Sequence, residues 1–137
     1  MIFIDASALI AMMTGETEAD ELADVMETDR ARVCSPIALW ETTAGLCRSY
    51  GFTAAAARDR VKDFVGAHGI EIVTIGEREY ELAAEAYAAF GNGRHPAALN
   101  MGDCFAYAGA RAKNAALLFK DEDFSKTDIR IARMNGG

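Results

Sequence analysis

Residues 1–13 read MIFIDASALIAMM. The uncharged run Met1–Ile4 stops abruptly at Asp5, and a helix-forming stretch, Ala6–Met13, follows. A short apolar run of this kind is the mark of a buried strand. Asp5 therefore stands at the carboxyl end of a strand and at the start of a helix.

The same strand-then-helix unit recurs along the chain. Ala31–Cys34 is a candidate strand, and Ser35-Pro36 after it reads as an N-cap followed by the first helical position. That helix runs to Tyr50, with Gly51 as its stop and Ile37, Trp40, Ala44 and Cys47 expected inward. Glu71–Ile75 is the next strand and Glu77–Phe90 the next helix, with Tyr80, Ala83, Ala84 and Tyr87 on one face. Ala116–Phe119 is a further strand, and a last short one is expected near Ile129–Ala132.

Other helices fill the intervals. Ala19, Leu22, Ala23 and Met26 form one stripe of an acidic helix over Glu16–Glu27. Thr53 caps a helix to Ala67 with Ala57, Val61, Phe64 and Val65 on its apolar side. Gly91–Leu99 is a loop, and Asn100–Lys113 is an alanine-rich helix. The alternation predicts an α/β sandwich with a mostly parallel sheet of four to five strands. No repeat or linker divides residues 1–137, so a single domain is expected.

Composition narrows the function. The chain has 137 residues, 51% hydrophobic and 26% charged, which suits one globular core. The net charge of −7 argues against a generic, non-specific nucleic-acid binder. The acidity is local, however. Residues 1–29 hold eight acids and no base, and the remainder of the chain stands at +1. No apolar run approaches a bilayer span, and the N-terminus lacks the basic start of a signal peptide. Three cysteines without C-x-x-C spacing read as reduced thiols of a cytoplasmic protein. His68 and His95 are too far apart to suggest a histidine-rich metal site.

The acids fall at matching places. Asp5 follows the first strand, Glu41 lies one turn into the helix after the second, and Asp121 and Asp123 follow the strand Ala116–Phe119. Asp103 lies in the first turn of the Asn100–Lys113 helix. In a parallel sheet the strand ends share one edge, where ligands bind. Clustered carboxylates suit a hard divalent cation, and such a site can activate water against a phosphodiester. Simpler roles stand beside this one: Asp5 as an N-cap, Glu41 as a solvated acid, Asp103 in a capping box with Asn100, and Asp121 and Asp123 as turn residues.

The opening MIFIDASALIAMM, the stretch SPIALWETTAGL and the segment GDCFAYA followed by LLFK and DEDF together resemble PIN-domain ribonucleases, specifically the VapC-type toxins of bacterial toxin–antitoxin pairs. The resemblance covers essentially the whole chain. It implies a PIN-like three-layer α/β/α sandwich and a Mg²⁺-dependent endoribonuclease, with Mn²⁺ as a substitute. By match, Asp5, Glu41, Asp103 and Asp121 are the catalytic acids, and Asp123 joins them as a metal ligand. The motif Asp121-Glu122-Asp123-Phe124 differs from the Lys-Gly-Asp-Asp-Phe common in relatives, which leaves open which of its acids faces the metal. Ser7 is a supporting hydroxyl, and Arg94 and Lys120 are candidate RNA contacts. The resemblance also implies metal-assisted hydrolysis leaving a 5′-phosphate and a 3′-hydroxyl, inhibition by a VapB-type antitoxin, and a homodimer.

Competing classes fit less well. A phosphorylated signalling module needs an acceptor Asp after a central strand, but Glu71–Ile75 runs into Gly76. A D-x-D phosphatase would need a second Asp where Ser7 stands. A PIN fold or Mg²⁺-binding module that serves only interaction is the remaining alternative, and the presence of all the matched acids weighs against it. Metal-held water needs no imidazole, so His95 reads as structural.

Overall fold

A computed structural model describes residues 1–134. Four strands, β1 (Ile2–Ile4), β2 (Arg32–Cys34), β3 (Ile70–Ile72) and β4 (Ala116–Leu118), form one sheet in the order β3-β2-β1-β4. Every pairing is parallel. The chain builds outward from β1 to β3 and then returns to the other side of β1 with β4. The strand order therefore reverses at β1–β4, the place where open parallel sheets bind their ligands.

Six helices cover the sheet: α1 (Ala6–Thr14), α2 (Ala19–Met26), α3 (Pro36–Tyr50), α4 (Ala54–Ala67), α5 (Glu77–Phe90) and α6 (Met101–Ala112). Strand alternation divides the core into two layers. Phe3, Val33 and Leu117 face α5 and α6, together with Ala83, Ala86, Cys104 and Tyr107. Ile2, Ile4, Cys34 and Leu118 face the opposite way, against Leu9, Leu22, Met26 and Ala38. Both faces of these strands are thus buried, as a parallel sheet requires. The result is the expected three-layer α/β/α sandwich.

Close approach explains two glycines. A Cβ on Gly109 would lie 2.4 Å from the Phe3 ring, so α6 rests directly on β1. A Cβ on Gly45 would lie 2.6 Å from Ile10, so α3 meets α1 at short range. Local signals set the helix starts. Ser35 accepts a hydrogen bond from the Ala38 amide at 3.2 Å with Pro36 at the first helical position, and Thr53 accepts from Ala56 at 3.1 Å. Gly51 ends α3 at φ 71°, a left-handed backbone that favours glycine.

Several expectations change. The Ile129–Ala132 strand reduces to a single bridge between Ile131 and Leu117, so the sheet has four strands. Helix faces also differ. Trp40 is 68% exposed, and α3 instead buries Ala38, Thr42, Gly45 and Leu46. On α5, Ala83 and Ala86 are buried, whereas Tyr80 and Tyr87 face out. These helices pack through small residues that let backbones come close, and the large aromatics are displaced to the rim. On α2, Val25 joins Leu22 and Met26 in the core, beside the apolar stripe that periodicity predicts.

Candidate active site

The edge at the carboxyl ends of β1 and β4 collects the acids. Asp5 leaves β1 and caps α1, its Oδ2 accepting from the Ser7 amide at 3.0 Å and the Ser7 hydroxyl at 2.6 Å. Ser7 Oγ in turn accepts from the Lys120 amide at 3.0 Å, and the Asp5 amide donates to the Leu118 carbonyl at 2.9 Å. Ser7 therefore ties the start of α1 to the loop after β4. The N-cap reading of Asp5 is correct in geometry, but a cap does not require burial. Asp5 is only 4% exposed and is the one charged side chain in the buried class among the described residues.

Glu41 projects from the second turn of α3 onto the start of α6. A Cβ on Gly102 would sit 1.8 Å from Glu41 Oε2, so any larger residue there would make the Glu41 carboxylate swing aside. Gly102 was not among the candidate residues. Its signal was the Gly-Asp pair at a helix start, where a glycine has no conformational reason to be preferred. Asp103 forms the capping box with Asn100. Its amide donates to Asn100 Oδ1 at 2.9 Å, and its Oδ2 accepts from the Asn100 amide at 3.1 Å. The capping role and the cluster role are thus held by the same side chain.

The electrostatics join these residues. Burial, then the charges of Asp5 and Asp103, pushes Glu41 up to about 7. Burial raises Asp103 to about 6 against the Asn100 hydrogen bond, with Asp5, Asp123 and Asp121 adding repulsion. Asp5 is raised chiefly by burial, which outweighs the hydrogen bonds from Ser7, and Asp121 adds to the shift. Asp121 is also raised, by partial burial and then by Asp123. Asp121 and Asp123 therefore act on the cluster, while Glu122 lines a groove against α2. Among the described residues, no cation forms an ion pair with Asp5, Glu41 or Asp103.

The side chains of the candidate RNA contacts are engaged within the chain. Lys120 Nζ is 2.5 Å from Glu16 Oε1 and 3.7 Å from Glu18 Oε2, and Glu16 also accepts from the Tyr50 hydroxyl at 2.5 Å. Part of the acidic N-terminal excess thus holds the base of the β4 loop. The Arg94 guanidinium lies over the Tyr87 ring at 4.9 Å. His95 Nδ1 accepts from the Ala97 amide at 3.0 Å and its ring packs edge-on against Phe90. Cys34 is buried, and its thiol is pushed up to about 12 by burial and then, with the Ser35 hydrogen bond opposing, by Asp5 and Glu41. It is no nucleophile at neutral pH.

The donor set is chemically suited to a hard divalent cation: all carboxylate, partly desolvated and, at Asp5, Glu41 and Asp103, without an ion pair among the described residues. As the side chains are placed, no three His, Cys, Asp or Glu groups among the described residues stand close enough to hold a metal ion. Two hydrogen bonds turn one oxygen of Asp5 to Ser7, and another turns one oxygen of Asp103 to Asn100.

Residues 2–130 match the PIN domain model. The chain belongs to the PIN-domain family. Among its relatives is ribonuclease VapC30 of Mycobacterium tuberculosis, 35% identical over 126 residues, covering 92% of this chain and 94% of the relative. A VapC ribonuclease of Rhizobium meliloti is 34% identical over 141 residues, covering 94% of this chain and 99% of the relative. The crystal structure of Mycobacterium tuberculosis VapC20, described as a sarcin-ricin loop cleaving toxin, superposes with a TM-score of 0.76. That match has 21% identity and covers 98% of this chain and all of the other. This PIN domain thus shares the fold of VapC20, and its sequence groups with VapC ribonucleases. No helix among the described residues is long and apolar enough to cross a membrane.

Proposed function

We propose that this PIN-domain protein is a Mg²⁺-dependent endoribonuclease, the toxin of a VapBC-type toxin–antitoxin pair. One observation carries the reading. Carboxylates from four separate segments, the ends of β1 and β4 and the starts of α3 and α6, are electrostatically coupled around the buried Asp5. In a family whose relatives are ribonucleases, that arrangement is a catalytic centre rather than a set of caps.

Asp5, Glu41, Asp103 and Asp121 would hold the cation, with Asp123 beside them. Bound there, a divalent cation supplies charge neutralisation at the phosphodiester and a lowered pKa for water. The protein's own part is positional. Ser7 fixes the rotamer of Asp5 and holds the β4 loop to α1. Gly102 gives Glu41 its place against α6. Asn100 sets the orientation of Asp103. Expected products carry a 5′-phosphate and a 3′-hydroxyl.

The protein acts in the cytoplasm, where its three thiols stay reduced, and a VapB-type antitoxin holds it inactive. A basic side chain of that antitoxin would satisfy the unpaired acids by a charge-assisted bond. A second copy would dock on the strip between α5 and α6, a reading supported by Tyr80, Tyr87 and Met101 exposed around a groove of about 460 Å³. Brief induction in a host lacking the antitoxin, followed by sequencing of RNA ends, tests the function. New 5′-phosphate ends that are absent from an Asp5→Asn control are expected. Identical end profiles in the two strains would refute ribonuclease activity.

A further inference from the structure

Trp40, one residue before Glu41, is the protein's single tryptophan and is 68% exposed. With Leu39 it forms one wall of a groove of about 330 Å³ between α3 and α4, and Arg58, Asp59, Val61 and Lys62 form the other. Arg58 and Lys62 are one turn apart on the same face of α4. Among the described residues neither forms an ion pair, although Asp59 shares the groove. The groove therefore combines a largely exposed indole with two cations that form no ion pair, in a chain of net charge −7.

We propose that this groove binds an unpaired nucleobase of the RNA substrate, stacked on the Trp40 indole, with Arg58 and Lys62 on the adjoining phosphates. The inference rests on the ribonuclease reading and adds the form of RNA that is accepted. Aromatic faces paired with cationic walls are the usual means of holding a single strand without reading its sequence. Asp59 supplies an acceptor for an exocyclic amino group, which a phosphate site alone would not need. Trp40 and Glu41 are consecutive on α3 and point roughly 100° apart around the helix, Glu41 toward α6 and Trp40 toward α4. A strand whose scissile phosphate lies at Glu41 would therefore pass around α3 to seat a nearby nucleotide in the groove. A base inside a duplex cannot reach the indole, so the groove selects loops and single strands.

Because no other tryptophan contributes, Trp40 fluorescence reports the contact directly. The Asp5→Asn chain, which leaves RNA intact, is titrated with a single-stranded RNA of about eight nucleotides. The same RNA fully paired, and the same RNA with abasic sugars, are titrated alongside. Saturable quenching by the single strand alone is expected. In the otherwise wild-type chain, Trp40→Ala raises KM for single-stranded RNA about ten-fold with kcat changed less than two-fold, and Trp40→Phe restores most of the loss. Arg58→Ala with Lys62→Ala weakens binding and flattens its salt dependence.

The proposal falls if the wild-type protein cleaves RNA while Trp40 fluorescence ignores saturating RNA, or if Trp40→Ala binds RNA as the parent does. It also falls if a protein partner quenches Trp40 and RNA does not. Quenching by RNA without cleavage by the wild-type protein would instead overturn the ribonuclease reading and leave the groove as an RNA site.

Discussion

At the scale of single residues, Asp5 and Gly102 carry the site. Asp5 is a carboxylate that caps a helix yet is buried among other acids, and capping alone would be served as well by an exposed side chain. Gly102 is explained by the carboxylate lodged against its α-carbon. Gly102→Ala should improve helix propensity slightly and so leave the melting temperature near that of the parent. It should also displace Glu41 and cut RNA cleavage by about a hundred-fold, since small misplacements of catalytic groups are costly. Thermal denaturation with cleavage kinetics checks both halves. Ser7→Ala removes the hydroxyl between Asp5 and the Lys120 amide, and a loss of about ten-fold in kcat/KM is expected.

At the scale of elements, the strand–helix alternation and five of the six helix starts were legible because local chemistry writes them. Ser35-Pro36, Thr53, Gly76, Asn100 and Asp5 all stand at helix boundaries. The helix faces were less legible. Periodicity arguments weigh large apolar side chains, but α3 and α5 meet their neighbours through Ala38, Thr42, Gly45, Ala83 and Ala86. Small residues carry little hydrophobic signal and give close packing. Periodicity therefore groups Trp40, Tyr80 and Tyr87 with the inward faces, and the fold turns them outward. The acid positions could be read because each falls at a strand or helix end. Which acids of Asp121-Glu122-Asp123 face the cluster could not, because that depends on the path of the loop into the Glu122–Lys126 3-10 turn. Ser35→Ala should cost about 1 kcal/mol of stability through loss of the α3 cap, measurable by urea denaturation.

At the scale of the whole molecule, the net charge of −7 is two separate features. One is the acid cluster, and the other is the acidic N-terminal region, where Glu16 and Glu18 hold Lys120. The cluster makes stability depend on pH. Glu41 is raised to about 7 and Asp103 to about 6, so in the metal-free protein the folded state keeps protons that the unfolded state releases. Stability from these groups is full below their unfolded values and is lost as pH rises through the folded ones. The melting temperature should therefore fall between pH 4.5 and pH 7 from this source. Glu41→Gln should remove part of the fall and melt a few degrees above the parent at pH 8. Mg²⁺, proposed to bind the ionised cluster, should raise the parent's melting temperature more at pH 8 than at pH 5.

The carboxylates around Asp5 are proposed to form a metal-dependent ribonuclease centre. Its most direct test compares purified parent and Asp5→Asn proteins on one labelled RNA across a Mg²⁺ titration, with circular dichroism to verify folding. Cleavage by the parent that rises with Mg²⁺, and no cleavage by a folded Asp5→Asn chain at any concentration, is the predicted result. Undiminished, metal-dependent cleavage by Asp5→Asn would contradict the account.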